Sequence, residues 1–318
     1  MRSAGIWPTT STATCGCRTS SSSPASSWPA WSRSSRCWRA EVTTLAHAIR
    51  DAAARLPGDE ARLEAELLLA HALQRPRSWF YAHAGDVLEP DDARTFEALL
   101  RRRDHGEPVA QIVGHRGFWS LDLAVTADTL IPRPETELLV ELALEHLPAE
   151  QMGQVLDLGT GTGAIALAIA SERPLVDMTA VDLSNAALDV ARANAADAGL
   201  PLRLLQGSWF APVAGEVFRM VVSNPPYIAE GDPHLLQGDL RFEPRSALAS
   251  GPDGLDAIRR IVADAPAHLL PGGWLLIEHG YDQGNAVRGL FTAAGFHRVA
   301  TARDLEGRER VTMGRHDG

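Results

Sequence analysis

An α/β fold, doubly wound around a mostly parallel seven-stranded sheet and preceded by a small all-helical domain, is the architecture this 318-residue sequence predicts. Three observations predict it. Strand-like apolar runs alternate with helix-like segments from Gln154 onward, and such alternation builds parallel sheets with helices on both faces. A glycine loop, Gly159-Thr160-Gly161-Thr162-Gly163, separates the first of those strands from the next helix. From Thr43 to Arg103 the pattern is helical.

Composition sets the outer limits. Hydrophobic residues make up 45% and charged residues 22%, an ordinary globular mixture. No apolar run approaches the ~18 residues of a membrane span, so no membrane association is expected. The net charge is -10, with 40 acidic against 30 basic side chains, and every basic residue is Arg. That balance argues against a protein that wraps nucleic acid with its whole surface. The absence of Lys reads as codon usage in a GC-rich genome.

The first forty residues are a different material. They hold five Arg, eleven Ser, four of the eight Trp and all three Cys (Cys15, Cys17, Cys37), but no Asp or Glu. An organellar transit peptide has this Arg-rich, acid-poor texture. A metal or redox site would need a denser ligand set than Cys-Gly-Cys and one distant Cys. The third reading, the favoured one, is a start placed too early, with the true beginning at Val42, where patterned sequence starts. Residues 1–41 are therefore expected to be disordered or spurious. Without the tail's five Arg the chain carries about -15 and has no cysteine, so neither disulfides nor thiol chemistry can serve it.

Residues 42–105 read as a helical domain of about four helices. Leu63, Leu67, Leu68 and Leu69 mark its apolar face, and Pro57-Gly58 and Arg75-Pro76 break it. Residues 106–130 read as a β-hairpin linker, with strands at Gln111 to Gly114 and Phe118 to Leu123. Residues 131–318 read as the sheet-bearing domain, expected to bind the ligand and carry the chemistry. Its first helix opens at Ile131-Pro132-Arg133-Pro134-Glu135-Thr136-Glu137, where Pro134 suits the first helical position and both Glu suit the helix dipole. Strands are expected at Gln154 to Leu158, Met178 to Leu183, Leu202 to Gln206, Met220 to Ser223 and Trp274 to Glu278. Two more lie near Arg298 and Val311. Helices Ala164 to Glu172 and Asn185 to Ala198 fall between the early strands.

Two motifs carry chemistry. The first runs Asp157-Leu158-Gly159-Thr160-Gly161-Thr162-Gly163-Ala164, a strand, a glycine turn and a helix start with free N–H groups. Asp182, ending the next strand, can accept hydrogen bonds from both hydroxyls of a ribose. The loop also satisfies the loose dinucleotide pattern, so a dehydrogenase stays open. Asp157 leans the other way, because a carboxylate suits a cationic ligand better than a pyrophosphate. S-adenosylmethionine, an adenosine bearing a sulfonium, fits better.

The second motif is Asn224-Pro225-Pro226-Tyr227 after the strand ending at Ser223. Two prolines make it a stiff loop at a strand's carboxyl end. Asn224 brings a side-chain carbonyl and Pro225 a backbone carbonyl without an N–H, so two acceptors meet one NH2 group. Tyr227 can pack its ring on a flat substrate group. The set suits an NH2 on a planar carbon, whose delocalised lone pair makes it a poor nucleophile.

On these residues the sequence resembles the HemK/PrmC family of class I S-adenosylmethionine-dependent methyltransferases. Members methylate the side-chain amide nitrogen (N5) of the Gln in the Gly-Gly-Gln motif of class I peptide chain release factors. The likeness covers about residues 43 to 315. Its most specific stretches are Ile131 to Glu137, Asp157 to Gly163, Asn224 to Ile228, Asp232 to Pro244 and Asp253-Gly254-Leu255. The resemblance implies a class I methyltransferase-type sheet. It places Gly159, Thr160, Gly161, Thr162 and Gly163 on the methionine part of the cofactor, with Asp157 before them. It also puts Asp182 on the ribose, Trp209 beside the adenine, and Asn224 near both cofactor and substrate. Asn224, Pro225, Pro226 and Tyr227 would hold the substrate Gln, with Asn224, Pro225 and Tyr227 the catalytic set. Arg133 and Glu135 would line the substrate wall, though a helix-start role explains them equally well. The product would be S-adenosylhomocysteine.

The His residues, among them His115, His234 and His279, show no ligand spacing, and no metal is expected. A cytoplasmic monomer with release factors as protein partners and no direct nucleic acid contact is expected. The rivals are methylation of a ribosomal-protein Gln and, further off, an adenine-N6 methyltransferase acting on a flipped base.

Overall fold

The structure, a computed structural model, describes residues 43–150 and 152–318. The expectations for residues 1–41 lie outside the described residues.

Helices α1 (Leu45–Ala53), α2 (Ala61–Leu73), α3 (Phe80–His83), α4 (Pro90–Asp104) and α5 (Val109–Val113) form the first layer. Thr44 caps α1 by accepting the His47 N–H. Pro90 opens α4, with Asp91 and Asp92 in its first turn and Arg101 to Arg103 in its last, each sign at the dipole end that favours it. The core here gathers Leu45, Leu68, Leu69, Phe96, Leu100 and Ile112. The apolar face of α2 is narrower than expected. Leu68 and Leu69 are buried beside Ala61 and Ala65, while Leu63 and Leu67 are only half-buried.

The linker departs from expectation in one respect. Gln111 to Val113 are helical, because Pro108 starts a turn whose Ala110 and Ile112 are buried, and Gly114 ends it. The hairpin comes one step later, as β1 (His115–Phe118) and β2 (Leu121–Ala124). Trp119 and Ser120 form its two-residue turn inside the stretch read as one strand. Trp119 sits there with a positive φ of 57°, held by two carboxylates. Its backbone N–H donates to Glu137 at 2.8 Å and its indole N–H to Glu172 at 2.8 Å.

A 3-10 turn from Pro134 to Thr136 leads into α6 (Glu137–His146). The remaining elements are β3 (Gly153–Leu158), α7 (Ala164–Glu172), β4 (Val176–Asp182), α8 (Asn185–Ala198), β5 (Arg203–Gln206), β6 (Phe218–Ser223), α9 (Asp256–Asp264), β7 (Leu269–Glu278), α10 (Gly284–Ala293), β8 (His297–Arg303) and β9 (Glu309–Arg315). The seven strands from β3 onward form one sheet in the order β5-β4-β3-β6-β7-β9-β8. The five from β3 to β7 run parallel, and β9 is antiparallel to both β7 and β8.

Alternation along β3 divides the core. Val155 packs with α6, α7 and the hairpin on one face, while Leu156 and Leu158 pack with α9 and α10 on the other. Helix α7 is apolar all round and buried from Ala164 to Ala170, as a helix roofed by neighbours must be. The strand order reverses between β3 and β6. In open α/β sheets ligands bind at the carboxyl ends of such a pair, and both motif loops leave from there.

Candidate active site

The two loops start side by side. Leu158 pairs with Ser223 across β3 and β6, and the buried Ser223 hydroxyl donates to the Leu158 carbonyl at 2.7 Å. Between the loops lies a cavity of about 260 Å³. Gly159, Thr160, Gly161 and Thr162 form its floor, Asp182 and Trp209 one side, and Asn224, Pro226 and Arg133 the other.

The first loop is shaped from within. Asp157 is fully buried, on the side of β3 facing α6 and α7, and does not reach the cavity wall; neither does Gly163. Its Oδ2 accepts the Thr160 hydroxyl at 2.7 Å, and its Oδ1 has no partner at bonding distance. Burial pushes this carboxyl up to about 7, against the pull of the Thr160 hydroxyl and with a push from the Asp182 charge. Asp182 is half-buried. Its Oδ2 accepts the Gly161 N–H at 2.9 Å and its Oδ1 the Ser184 N–H at 2.8 Å. A Cβ built on Gly161 meets nothing within 4 Å, so that backbone stands bare toward open space. Asn194 anchors the loop to the hairpin. Its amide accepts the Ala124 N–H at 2.7 Å and donates to the Ala124 and Thr162 carbonyls at 3.1 and 2.9 Å.

The second loop is held by distant side chains. The Asn224 Nδ2–H donates to the buried Thr136 hydroxyl at 3.1 Å, which leaves Asn224 Oδ1 as a free acceptor on a half-buried residue. Pro225 is buried. Tyr227 faces a second hollow, of about 640 Å³, shared with Glu135, Arg133, Glu278 and Arg310. Its hydroxyl donates to Glu278 Oε1 at 3.4 Å, and burial and the Glu278 charge raise its pKa, so the phenol stays protonated. Its backbone carbonyl accepts the Gln283 side-chain N–H at 2.9 Å and presses against Gly254. A Cβ at Gly254 would overlap that carbonyl, and Gly254 has a φ of +79°. This explains why Asp253-Gly254-Leu255 accompanies the tyrosine.

Arg133 has a definite partner. It pairs with the buried Glu243, which also accepts the Ile131 N–H at 2.9 Å, so the Ile-Pro-Arg-Pro segment is strapped to the Asp232 to Pro244 run. Burial raises the Glu243 pKa, while the Arg133 charge opposes the rise. Glu135 is exposed at the rim of the second hollow.

Residues that sequence reasoning missed are the supports. Thr136 lay unremarked between two Glu. Glu278 ended an expected strand, and an acid at a strand's carboxyl end was the available signal. The same run contacts the helical layer: Arg103 bridges Glu64 at 2.8 Å and Asp239 at 2.9 Å, and Arg241 donates to the His105 carbonyl at 2.8 Å. His279 is a satisfied core residue, bonded to Thr312 at 2.9 Å and Gly280 at 2.8 Å. Among the described residues no cluster of three or more His, Cys, Asp or Glu could hold a metal ion.

Comparison with known proteins matches the two parts separately. Residues 47–114 match the PrmC N-terminal domain family and residues 136–239 the methyltransferase small domain family. A release factor glutamine methyltransferase of Xylella fastidiosa is 55% identical over 81% of this chain and 94% of its own length. Those of Pseudomonas aeruginosa and Escherichia coli are 54% and 49% identical, over 86% and 85% of this chain and 99% and 98% of theirs. A solved release-factor-specific protein-(glutamine-N5) methyltransferase from Alicyclobacillus acidocaldarius is 34% identical, with a TM-score of 0.37 over 59% of this chain and 95% of that one. At this identity over nearly the whole length of its relatives, the chain belongs to the release factor glutamine methyltransferases.

Proposed function

We propose that this chain methylates the side-chain amide nitrogen of the Gln in the Gly-Gly-Gln motif of class I release factors, with S-adenosylmethionine as donor. The observation that carries the reading is the free Asn224 Oδ1 at the wall of the 260 Å³ cavity, opposite the glycine loop. The cavity suits this cofactor. Bare backbone at Gly161 admits a close ligand, the Asp182 carboxylate is fixed where ribose hydroxyls can donate to it, and the Trp209 ring offers a flat wall. The bound cofactor supplies an electrophilic methyl on a sulfonium.

The protein's part is binding and aim. Asn224 Oδ1 accepts one proton of the substrate NH2 and the Pro225 carbonyl the other. Two acceptors on one NH2 stop it rotating and raise electron density on nitrogen. Holding that nitrogen in line with a methyl group supplies much of the remaining acceleration. Pro226 and Tyr227 wall the amide in, and Arg133 and Glu135 flank the hollow through which the substrate loop enters. Asp157 shapes the loop through Thr160. A lone Gln side chain offers little binding area, so the helical layer at residues 42–105 helps hold the release factor. The enzyme acts as a cytoplasmic monomer; among the described residues no helix is long and apolar enough to cross a membrane.

The test is label transfer. The protein is incubated with methyl-labelled S-adenosylmethionine and, in parallel, intact release factor, ribosomal protein or duplex DNA. Label on the release factor Gln is expected. Label on ribosomal protein alone would move the substrate to a sister class, and label on DNA would overturn the reading.

A further inference from the structure

One short turn joins the helical layer to the second hollow. Gly238 to Phe242 form a 3-10 turn, and Gly238, Asp239 and Leu240 stand in the wall of the 640 Å³ hollow that Tyr227 and Arg133 also border. Three residues of the turn bond to the helical layer. The Asp239 carboxylate accepts from Arg103, near the end of α4, at 2.9 Å. The Arg241 guanidinium donates to the His105 carbonyl at 2.8 Å, and the Phe242 carbonyl accepts the Gln111 side-chain N–H at 3.4 Å. The next residue, Glu243, reaches the other way. Its buried carboxylate accepts the Ile131 N–H at 2.9 Å and pairs with Arg133, which borders both the cofactor cavity and the second hollow. We propose that Arg103 is a positioning residue that, through Asp239, holds the wall of the hollow in place for the substrate loop. This inference rests on the function proposed above and gives the helical layer a task besides holding the release factor.

Arg103 is built as a fixed point. Its Nε and Nη2 meet the two Glu64 oxygens at 2.8 Å each, a fork that fixes the plane of the guanidinium. The remaining nitrogen, Nη1, meets Asp239 at 2.9 Å and the Glu107 carbonyl at 3.3 Å. The Arg103 side chain is 12% exposed and that of Asp239 39%. Water screens the Asp239 arm, so cutting it should cost little stability. Its effect is expected in the rate instead. The turn has little slack to absorb a lost tie. Gly106, with a φ of +91°, lies so close to the Arg241 guanidinium that a Cβ there would overlap it. A wall displaced by about 1 Å can cost ~10²-fold in rate, because the substrate nitrogen must stand in line with the methyl group.

The experiment measures methyl transfer to intact release factor in single turnovers at saturating S-adenosylmethionine. Varying the release factor gives the maximal rate and the half-saturating concentration separately. The parent, Arg103→Met, Asp239→Ala and the double variant are compared, each with cofactor affinity by calorimetry and a melting temperature. Asp239→Ala is expected to lower the maximal rate at least ~5-fold, with cofactor affinity and melting temperature nearly those of the parent. The double variant is expected to be no slower than Arg103→Met, since both changes cut one bond. Asp239 also borders the hollow, and the cycle separates position from direct contact: a direct contact would make the two losses multiply. Arg103→Met leaves Glu64 unpaired as well. If that variant loses cofactor affinity, Arg241→Ala, which cuts a separate tie of the same turn, takes its place and is expected to lower the maximal rate too. A parental maximal rate in Asp239→Ala, a loss confined to the half-saturating concentration, or losses that multiply in the double variant would each overturn the inference. No label on release factor from the parent would instead remove the functional reading beneath it.

Discussion

The loop after β3 and the loop after β6 leave neighbouring strands at the same end of one sheet, yet they are held in opposite ways. The first is made of backbone. Its supports are local or one strand away: Thr160 on Asp157, Gly161 on Asp182, Thr162 on Asn194. The second is made of side chains and held from afar, by Thr136, Glu278, Gln283 and Gly254. In the function proposed above, the first loop grips a cofactor common to many proteins, and a short stretch of chain is enough to assemble such a grip. The second would aim one amide, and that needs several fixed side chains around it.

The comparison can be broken or sharpened by substitution. The largest effect is expected at Gly254, where Ala must displace the Tyr227 carbonyl and adopt a positive φ. Overpacking and left-handed strain together should cost about 2–4 kcal/mol of stability in urea melts. Turnover should fall while cofactor affinity holds, and equal loss of both would show that the two loops are not separately supported. Asp182→Ala removes the expected ribose acceptor and two loop anchors. Cofactor affinity should weaken by about 1.5–3 kcal/mol in calorimetry, with kcat at saturating cofactor largely kept. NADH should not bind either form; tight binding would revive the dehydrogenase reading. Asn194→Ala cuts the two bonds that tie α8 to the hairpin and the one that ties it to the glycine loop, and should cost about 1–2 kcal/mol, seen as a lower melting temperature.

Asp157→Asn should show the smallest effect, and it depends on pH. The folded-state pKa of Asp157 is raised to about 7, so its contribution to stability is fully present below the unfolded value near 4 and is lost as pH rises through about 7. Asn cannot ionise. The variant's melting temperature relative to the parent should therefore be more favourable at pH 8 than at pH 5. A constant difference across that range would mean that Asp157 is not held neutral by burial.

The same contrast explains what was legible. The glycine loop, Asp182 and the Asn-Pro-Pro-Tyr run announce themselves, because each is a short pattern with a backbone reason. So do the strands, since apolar runs such as Val155 to Leu158 and Met220 to Val222 occur at regular intervals. Gln111 to Gly114 reads as a strand because β-branched Ile112 and Val113 favour strands and so short an apolar run has no period of its own; packing of Ile112 into the helical core makes Gln111 to Val113 helical instead. Thr136 and Glu278 could not be paired with Asn224 and Tyr227 from sequence. Their partners lie 88 and 51 positions away, and nothing local marks the approach. Glu243 falls between these cases: it sits in a distinctive run, but its role as the strap for Ile131 and Arg133 appears only in three dimensions.

The central claim is that Asn224 works by orienting the substrate amide and much less by binding the cofactor. The direct measurement is the single-turnover rate of methyl transfer to intact release factor by Asn224→Asp, with cofactor affinity by calorimetry on the same preparation. Asp keeps an acceptor near the same place but adds negative charge near the cationic sulfonium. That charge favours the reactant over a transition state in which the positive charge is spreading. The account predicts cofactor affinity equal to or tighter than the parent's and a rate at least ~10-fold lower, about 1.4 kcal/mol in the barrier. A parental rate, or a loss confined to cofactor affinity, would contradict it.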